Sequence, residues 1–456
     1  MELRDINYPG SKLEMKRRRL SPVNTENDQG KRSPAQGIHV MAKPIGPVCN
    51  LNCEYCFYLE KQALFGVGEN YRMSDRVLSA YITKYIASQP TPIVDFVWQG
   101  GEPTLLGVPF FEKVIELQKP FAHEKTIRNS LQTNGTLLDD DWCKFLKTNN
   151  FLVGISLDGP KEIHDAYRRD RRGNGTFDRV MRGLRLLQEH KIAHNVMACV
   201  ARNTAGHPLD VYQFFKDEGV AFIQFAPIVE RMPDAASTKL GLRLAGPASL
   251  SKEEGHTQVT PWTVIPEEYG DFLIAVFDDW VRHDVGMTNV MNFEWALQAW
   301  IGNPSPVCVF ARQCGRSLVM EHNGDVYACD HSVYPQHRLG KILTENPVSM
   351  MERSISNGFG VSKETSLPRV CRECPVLKAC WGGCPKHRFA KTCEDEPGLH
   401  YLCAGYKKFF LHIRKYLKAI TQLLAHGLPA SYVMEAVKGP LLIEVDGEKN
   451  QQRKRV

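Results

Sequence analysis

The chain has 456 residues, 43% hydrophobic and 24% charged, an ordinary composition for a globular protein with room for two or three domains. No apolar run approaches the roughly 18 residues of a membrane helix, and the polar first stretch has no apolar core of a secretion signal, so a cytoplasmic protein without a membrane partner is expected. The net charge of +6 does not point to nucleic acid: residues 1–37 carry +3 and residues 446–456 carry +2, leaving the body near neutral. Residues 1–37 read as a disordered basic extension, and the run Lys16 to Arg19 as a solvated tail in preference to a targeting or nucleic-acid patch.

From residue 38, short β-rich runs alternate with amphipathic helices. Strands are expected at "IHVMAK", "IVDFVWQ", "TIRNSLQT", "FLVGISLD", "AHNVMACV" and "AFIQFAPI". Helices separate them, for example "SDRVLSAYITKYIASQ", with Ser74 or Asp75 as N-cap, and "TFDRVMRGLRLLQEHK". Six β/α units in series imply a parallel sheet with helices outside. Six falls short of the eight of a closed (β/α)₈ barrel, so an α/β fold with a partial, open (β/α)₆ barrel is expected over residues 38–230. Chemistry-bearing motifs follow the strands: three cysteines after the first, "GGEP" after the second, "QTNG" after the third, and "SLDGP" with Ser156 at the fourth. That edge of a parallel sheet is where ligands bind.

Residues 231–300 read as a linker followed by helices. The stretch 231–265 has weak periodicity and many small residues, and helical patterns follow at "PEEYGDFLIAVFDDWVRHD" and "NFEWALQAWIG". Residues 301–405 form a cysteine-rich region, and residues 406–456 a C-terminal helix with a polar tail.

Fourteen cysteines in a chain without a secretion signal suggest metal in preference to disulfides. Cys143 and Cys199 sit in apolar surroundings and read as buried small hydrophobes. Cys49, Cys53 and Cys56 form CxxxCxxC. Three thiolates on one loop hold three irons of a cubane cluster and leave the fourth open to a small molecule; zinc with a distant fourth ligand is the alternative. The second group runs Cys314-x9-Gly324-x4-Cys329, then Cys371-x2-Cys374-x5-Cys380-x3-Cys384, then Cys403, with Cys308 upstream. Eight thiolates are what two fully ligated cubanes need; a pair of zinc ribbons is the alternative. Cys393 is left over.

CxxxCxxC with Phe57–Tyr58 and "GGEP" resembles the radical S-adenosylmethionine enzymes, and the second group resembles the SPASM extension of that superfamily. The stretches "CNLNCEYCFYLEK", "WQGGEPTLLG", "SLQTNGTLLDDDW", "FLVGISLDGPKEIHDAYRRD", "GDVYACDH" and "RLGKI" resemble in particular the anaerobic sulfatase-maturating enzymes. The resemblance implies S-adenosylmethionine chelated to the open iron at Cys49, Cys53 and Cys56, and two auxiliary 4Fe–4S clusters. One would be held by Cys308, Cys314, Cys329 and Cys384, the other by Cys371, Cys374, Cys380 and Cys403, with Cys403 preferred over Cys393. It further implies that Tyr55, Gly101, Ser156, Arg168 and Val229 contact S-adenosylmethionine, that Tyr58 and Gln99 face the substrate peptide, and that Asp330 accepts a proton. The implied reaction oxidises a Cys or Ser to Cα-formylglycine within a Cys/Ser-x-Pro-x-Arg motif of an unfolded or nascent sulfatase, with a flavodoxin or ferredoxin as electron donor. The second enzymatic reading is a SPASM maturase crosslinking a ribosomal peptide by thioether or carbon–carbon bonds, for which residues 1–37 are too short and polar to form the expected peptide-binding domain. From another class, a zinc-dependent interaction module fits the cysteines alone.

Overall fold

The computed structural model describes residues 37–66, 68–247 and 257–438. The basic N-terminal extension, the middle of the 231–265 stretch and the polar C-terminal tail lie outside the described residues.

Six strands arrive in the expected places: β1 (His39–Lys43), β2 (Ile93–Trp98), β3 (Thr126–Thr133), β4 (Leu152–Ser156), β5 (His194–Val200) and β6 (Phe222–Pro227). They pair in chain order and all parallel. Helices cross between them on the outside, among them Asp75–Ala87, whose N-cap is Ser74 accepting from Val77 N–H, and Phe177–Glu189. The sheet continues at both edges. β7 (Asn289–Val290) adds to β6, while β8 (Ser317–Glu321), β9 (Asp325–Tyr327) and β10 (Arg338–Lys341) extend it beyond β1. Among the described residues both edges stay unjoined, so the barrel is open as expected. Of the four added strands, which were not expected, β7, β9 and β10 are two to four residues long, too short for a period-2 pattern, whereas β8 is as long as β1. A turn signal was present in "HNGD", where Gly324 N–H closes on the Glu321 carbonyl between β8 and β9.

Alternation along the strands divides the sheet into two chemistries. Toward the helices point Val94, Phe96 and Trp98 of β2, Val153 and Ile155 of β4, and Val196, Ala198 and Val200 of β5, all nearly or fully buried. The other side carries partly exposed polar residues: Ser130 and Gln132 of β3, Ser156 of β4, Asn195 and Cys199 of β5, Gln224 of β6. A closed barrel of eight strands packs this space with branched side chains. Here Gly154, flanked by Gln132 and Asn195, keeps it polar.

The stretch 231–247 is not a free linker. It forms a short helix, Ala235–Lys239, capped by Asp234, and buries Leu242, Leu244 and Ala245. Behind the barrel the Pro266–His283 helix packs on the Cys403–Ala425 helix. Phe277, fully buried, stands at the centre of that contact with Phe293 at 5.0 Å and Tyr416 at 5.4 Å between ring centroids. Phe277→Ala is expected to cost about 3–5 kcal/mol, whereas Leu411→Ala, at a 41% exposed position of the partner helix, is expected to stay within about 0.5 kcal/mol. Denaturant midpoints of the two variants check this.

Candidate active site

The loop after β1 carries Cys49, Cys53 and Cys56, all partly buried. It is held against the "GGEP" turn by backbone bonds: Gly101 N–H donates to Gly46 O at 2.7 Å and Glu102 N–H to Val48 O at 2.9 Å. Gly101 has to be glycine, because an added Cβ would overlap the Val48 carbonyl. Glu102, fully buried, accepts from Thr104 N–H and Oγ1, Thr133 Oγ1 and Asn134 N–H, joining the turns after β2 and β3. Asn134 in turn donates to Asn50 and lies 3.7 Å from Cys49 Sγ. Burial pushes the Cys49 thiol up to about 12, with Glu102 adding to the effect. Cys53 and Cys56 are also raised, chiefly by burial. Arg168 and Lys43 oppose this only in part, so a bound cation is what would favour three thiolates here.

A second set of residues meets at the ends of β4 and β5. Asp158, 2% exposed, accepts from Tyr55 Oη, from Arg168 Nε at 2.9 Å and, at its other oxygen, from Cys199 N–H at 2.8 Å. Arg168 Nη2 lies 3.4 Å from Cys199 Sγ. The arginine of the basic run is therefore buried and paired inside the barrel mouth. Cys199 is not the buried small hydrophobe expected; it is partly exposed on the polar side of β5, while Cys143 is fully buried as expected. Ser156 Oγ accepts from Gln132 at 3.1 Å. Gln99 directly follows β2 and is half-buried, its N–H on Ala42 O. Val229 is buried just beyond β6.

Asp330 follows Cys329 directly and forms a 2.7 Å ion pair with Lys43 Nζ at the end of β1. Burial pulls its carboxyl up, but Lys43, His331 and Lys386 together outweigh burial and hold it below the usual carboxylate range. Tyr58 is placed behind this pair and not on an open face: it is 4% exposed, its ring lies 3.8 Å beneath Lys43 Nζ, and its hydroxyl donates to Glu321 at 2.5 Å.

In the cysteine-rich region the leading thiol neighbours of Cys384, Cys329 and Cys380 belong to their own sets. Cys384 senses Cys308 and Cys314, and Cys329 senses Cys384 and Cys308. Cys380 senses Cys403, Cys371 and Cys374, and these four line a cavity of about 50 Å³. Cys393 is exposed and lines no such space. Among the described residues no three His, Cys, Asp or Glu converge on a single metal ion. Four thiols around one cavity match the donor number of a cubane, one thiolate to each iron. Two buried cations, Lys363 and Arg388, hold these loops by backbone carbonyls. Lys363 Nζ donates to Cys308 O at 2.7 Å and Val309 O at 2.9 Å; Arg388 donates to Trp381 O and Gly382 O, each at 2.7 Å. Neither lysine nor arginine carried a sequence signal, since an isolated cation reads as surface.

Beside Cys56 opens a cavity of about 550 Å³, lined in part by Glu54, Glu60, Tyr167, Arg243 and Leu244. Glu60 forms one wall with the 231–247 stretch, its carboxylate accepting from Arg243 N–H at 2.7 Å and Leu244 N–H at 2.9 Å.

The Radical SAM superfamily model matches residues 44–215. A serine-type anaerobic sulfatase-maturating enzyme of Bacteroides thetaiotaomicron is 45% identical over 412 residues, covering 90% of this chain and 98% of that protein. A cysteine-type enzyme of Clostridium perfringens is 34% identical over 376 residues, covering 82% and 95%. The solved structure of native anSMEcpe with bound AdoMet and Cp18Cys peptide matches with a TM-score of 0.73 at 32% identity, covering 85% of this chain and all of that one. The chain belongs to the anaerobic sulfatase-maturating enzymes of the radical SAM superfamily. It is a radical SAM oxidoreductase, and family membership brings S-adenosylmethionine and a 4Fe–4S cluster as cofactors. No helix among the described residues is long and apolar enough to cross a membrane.

Asp158→Asn is expected to destabilise the fold by about 3–5 kcal/mol, because it leaves the Arg168 charge buried without its carboxylate. Denaturant unfolding of the purified variant measures the loss; a midpoint equal to wild type would show that the pair contributes nothing.

Proposed function

We propose that the chain oxidises a Cys or Ser side chain of a sulfatase to Cα-formylglycine. The observation that carries this reading is the meeting of an ionised Asp330 with Lys43 at the end of β1, the strand that leads into the three-cysteine loop. A proton acceptor and the candidate radical centre thus share one barrel mouth.

Cys49, Cys53 and Cys56 would hold the radical-generating cluster, with Tyr55, Gly101, Ser156, Arg168 and Val229 around S-adenosylmethionine. Of these, Arg168 has the donors to pair with a carboxylate beyond Asp158. When bound, the reduced cluster and S-adenosylmethionine supply the 5′-deoxyadenosyl radical that removes hydrogen from the target Cβ. The carbon radical then loses one electron and one proton. Asp330 takes the proton from the target hydroxyl or thiol, and Lys43 orients the carboxylate. Tyr58 supports Lys43 from below, and Gln99, just after β2, would face the peptide. For the electron, the two thiol sets would hold two auxiliary 4Fe–4S clusters, Cys308, Cys314, Cys329 and Cys384 in one and Cys371, Cys374, Cys380 and Cys403 in the other. A flavodoxin or ferredoxin is the expected external electron carrier, and a Cys/Ser-x-Pro-x-Arg segment of an unfolded or nascent sulfatase the substrate.

Serine-type and cysteine-type enzymes both align along most of the chain, so the test uses both peptides. Asp330→Asn keeps the shape and removes the base. With either peptide it is expected to cleave S-adenosylmethionine while forming about 10²–10⁴-fold less formylglycine, read by peptide mass spectrometry beside a deoxyadenosine assay. Wild-type aldehyde yields would remove Asp330 from the mechanism. The triple variant Cys49→Ala, Cys53→Ala, Cys56→Ala is expected to release no deoxyadenosine yet to keep about eight of about twelve irons, three cubanes carrying four irons each. A colourless wild-type protein holding zinc would refute the whole reading.

A further inference from the structure

The cavity ringed by Cys371, Cys374, Cys380 and Cys403 has a wall that bears no thiol, and His400 stands in it, 2% exposed. The chain itself fixes the ring's protonation. Leu402 N–H donates to His400 Nδ1 at 3.0 Å. A ring nitrogen that accepts carries no proton, so the imidazole is neutral and its hydrogen sits on Nε2. That Nε2–H is buried and has no hydrogen-bond partner among the described residues. Native proteins rarely leave such a donor unpaired, and each exception calls for an explanation.

The surroundings are built to keep the ring in place. Gly383, between the cluster-loop residues Cys380 and Cys384, has φ of 58°, and a Cβ added there would overlap the His400 ring. His387 and Tyr406 pack on its other sides at 5.6 and 5.4 Å between centroids. Room is thus kept beside Gly383 for the Nε2 edge of an imidazole that lines the thiol-walled space.

We propose that His400 gives its Nε2–H to a sulfur of the 4Fe–4S cluster held by Cys371, Cys374, Cys380 and Cys403, and so raises that cluster's reduction potential. This rests on the auxiliary-cluster reading above. Reduction adds negative charge to the cluster, and a hydrogen bond to an anionic sulfur stabilises the more negative form more strongly. His400 is a positioning and tuning residue; it touches neither substrate nor the reacting carbon.

The test uses the anaerobically purified holoprotein, with iron content and an electron-paramagnetic-resonance redox titration as readouts. A Cys371→Ala/Cys374→Ala variant identifies the signal of the cavity's cluster by its loss. His400→Asn keeps an acceptor for Leu402 N–H but is too short to bring a donor to the cavity. His400→Gln carries an amide N–H out to about the reach of Nε2. In His400→Asn, with iron content unchanged, the ratio of reduced to oxidised cluster at fixed potential is expected to fall about tenfold, which is about 59 mV for a one-electron couple. His400→Gln is expected to recover most of that shift, and the other clusters' signals to stay in place. Loss of this cluster from His400→Asn with retention in His400→Gln also supports a donor requirement. An unmoved potential in a fully loaded His400→Asn protein overturns the inference, as does loss of the cluster from both variants. A wild-type holoprotein with only about four irons instead removes the auxiliary-cluster reading on which the inference stands.

Discussion

The site depends on the pairing of β1 with β8. Five consecutive registers, from His39↔Ser317 to Lys43↔Glu321, join segments nearly the whole barrel apart in sequence. Through that seam the cysteine-rich region becomes a continuation of the barrel sheet. It brings Asp330 to Lys43 and Glu321 to Tyr58. Lys43 is 1% exposed, and a buried ammonium without a carboxylate would be costly. The ion pair therefore opposes any parting of β1 from the cysteine-rich region: moving one away would strand the charge of the other.

Buried cations elsewhere make a complementary argument. Arg168 has Asp158. Lys363 and Arg388 have no carboxylate partner among the described residues; they donate to backbone carbonyls and, for Arg388, the Ser366 hydroxyl, and Lys363 has thiols of one set and Arg388 thiols of both among its leading electrostatic neighbours. Burial accordingly lowers Lys363 to about 8. Two positive groups set in a sulfur-rich interior without carboxylates are poorly accounted for in a protein of neutral thiols. Anionic thiolate-ligated clusters beside them would supply the missing negative charge.

The barrel was legible because its strands are rich in β-branched residues and separated by amphipathic helices, and the cysteine groups were legible because ligand spacing is a local property. What sequence could not reveal was pairing across distance. Arg168 stands in "RRDRR", where nothing local distinguishes it from its solvated neighbours; only the fold turns it onto Asp158. Cys199 sits in an apolar run, yet period 2 places it on the polar side of β5, a consequence that needs the identity of the two faces. Tyr58 was placed toward the peptide by resemblance alone, and the fold closes it under Lys43. The 231–247 stretch gave no periodicity because it is held by Glu60 and by burial of single residues, neither of which leaves a repeating pattern.

The loop from Cys49 to Lys61 ties these observations together. Its cysteines face the proposed cluster, and each residue that follows reaches a different part of the molecule. Tyr55 bonds to Asp158 at the end of β4. Phe57 lies under Lys386 and against His331, beside the second cysteine group. Tyr58 bonds to Glu321 of β8. Glu60 holds the backbone of residues 243 and 244 on the cavity wall, and Lys61 donates to Tyr334 at 2.6 Å. Thirteen consecutive residues thus reach the barrel mouth, the sheet seam, the cysteine-rich region and the wall of the cavity beside Cys56. A rigid-body displacement of the loop would break buried polar bonds in all four places together, each worth about 1 kcal/mol or more. The position of the proposed radical centre relative to the base and to the substrate space is therefore set by many mutually supporting contacts, which is what a reaction that passes a hydrogen atom, an electron and a proton in turn requires of its geometry.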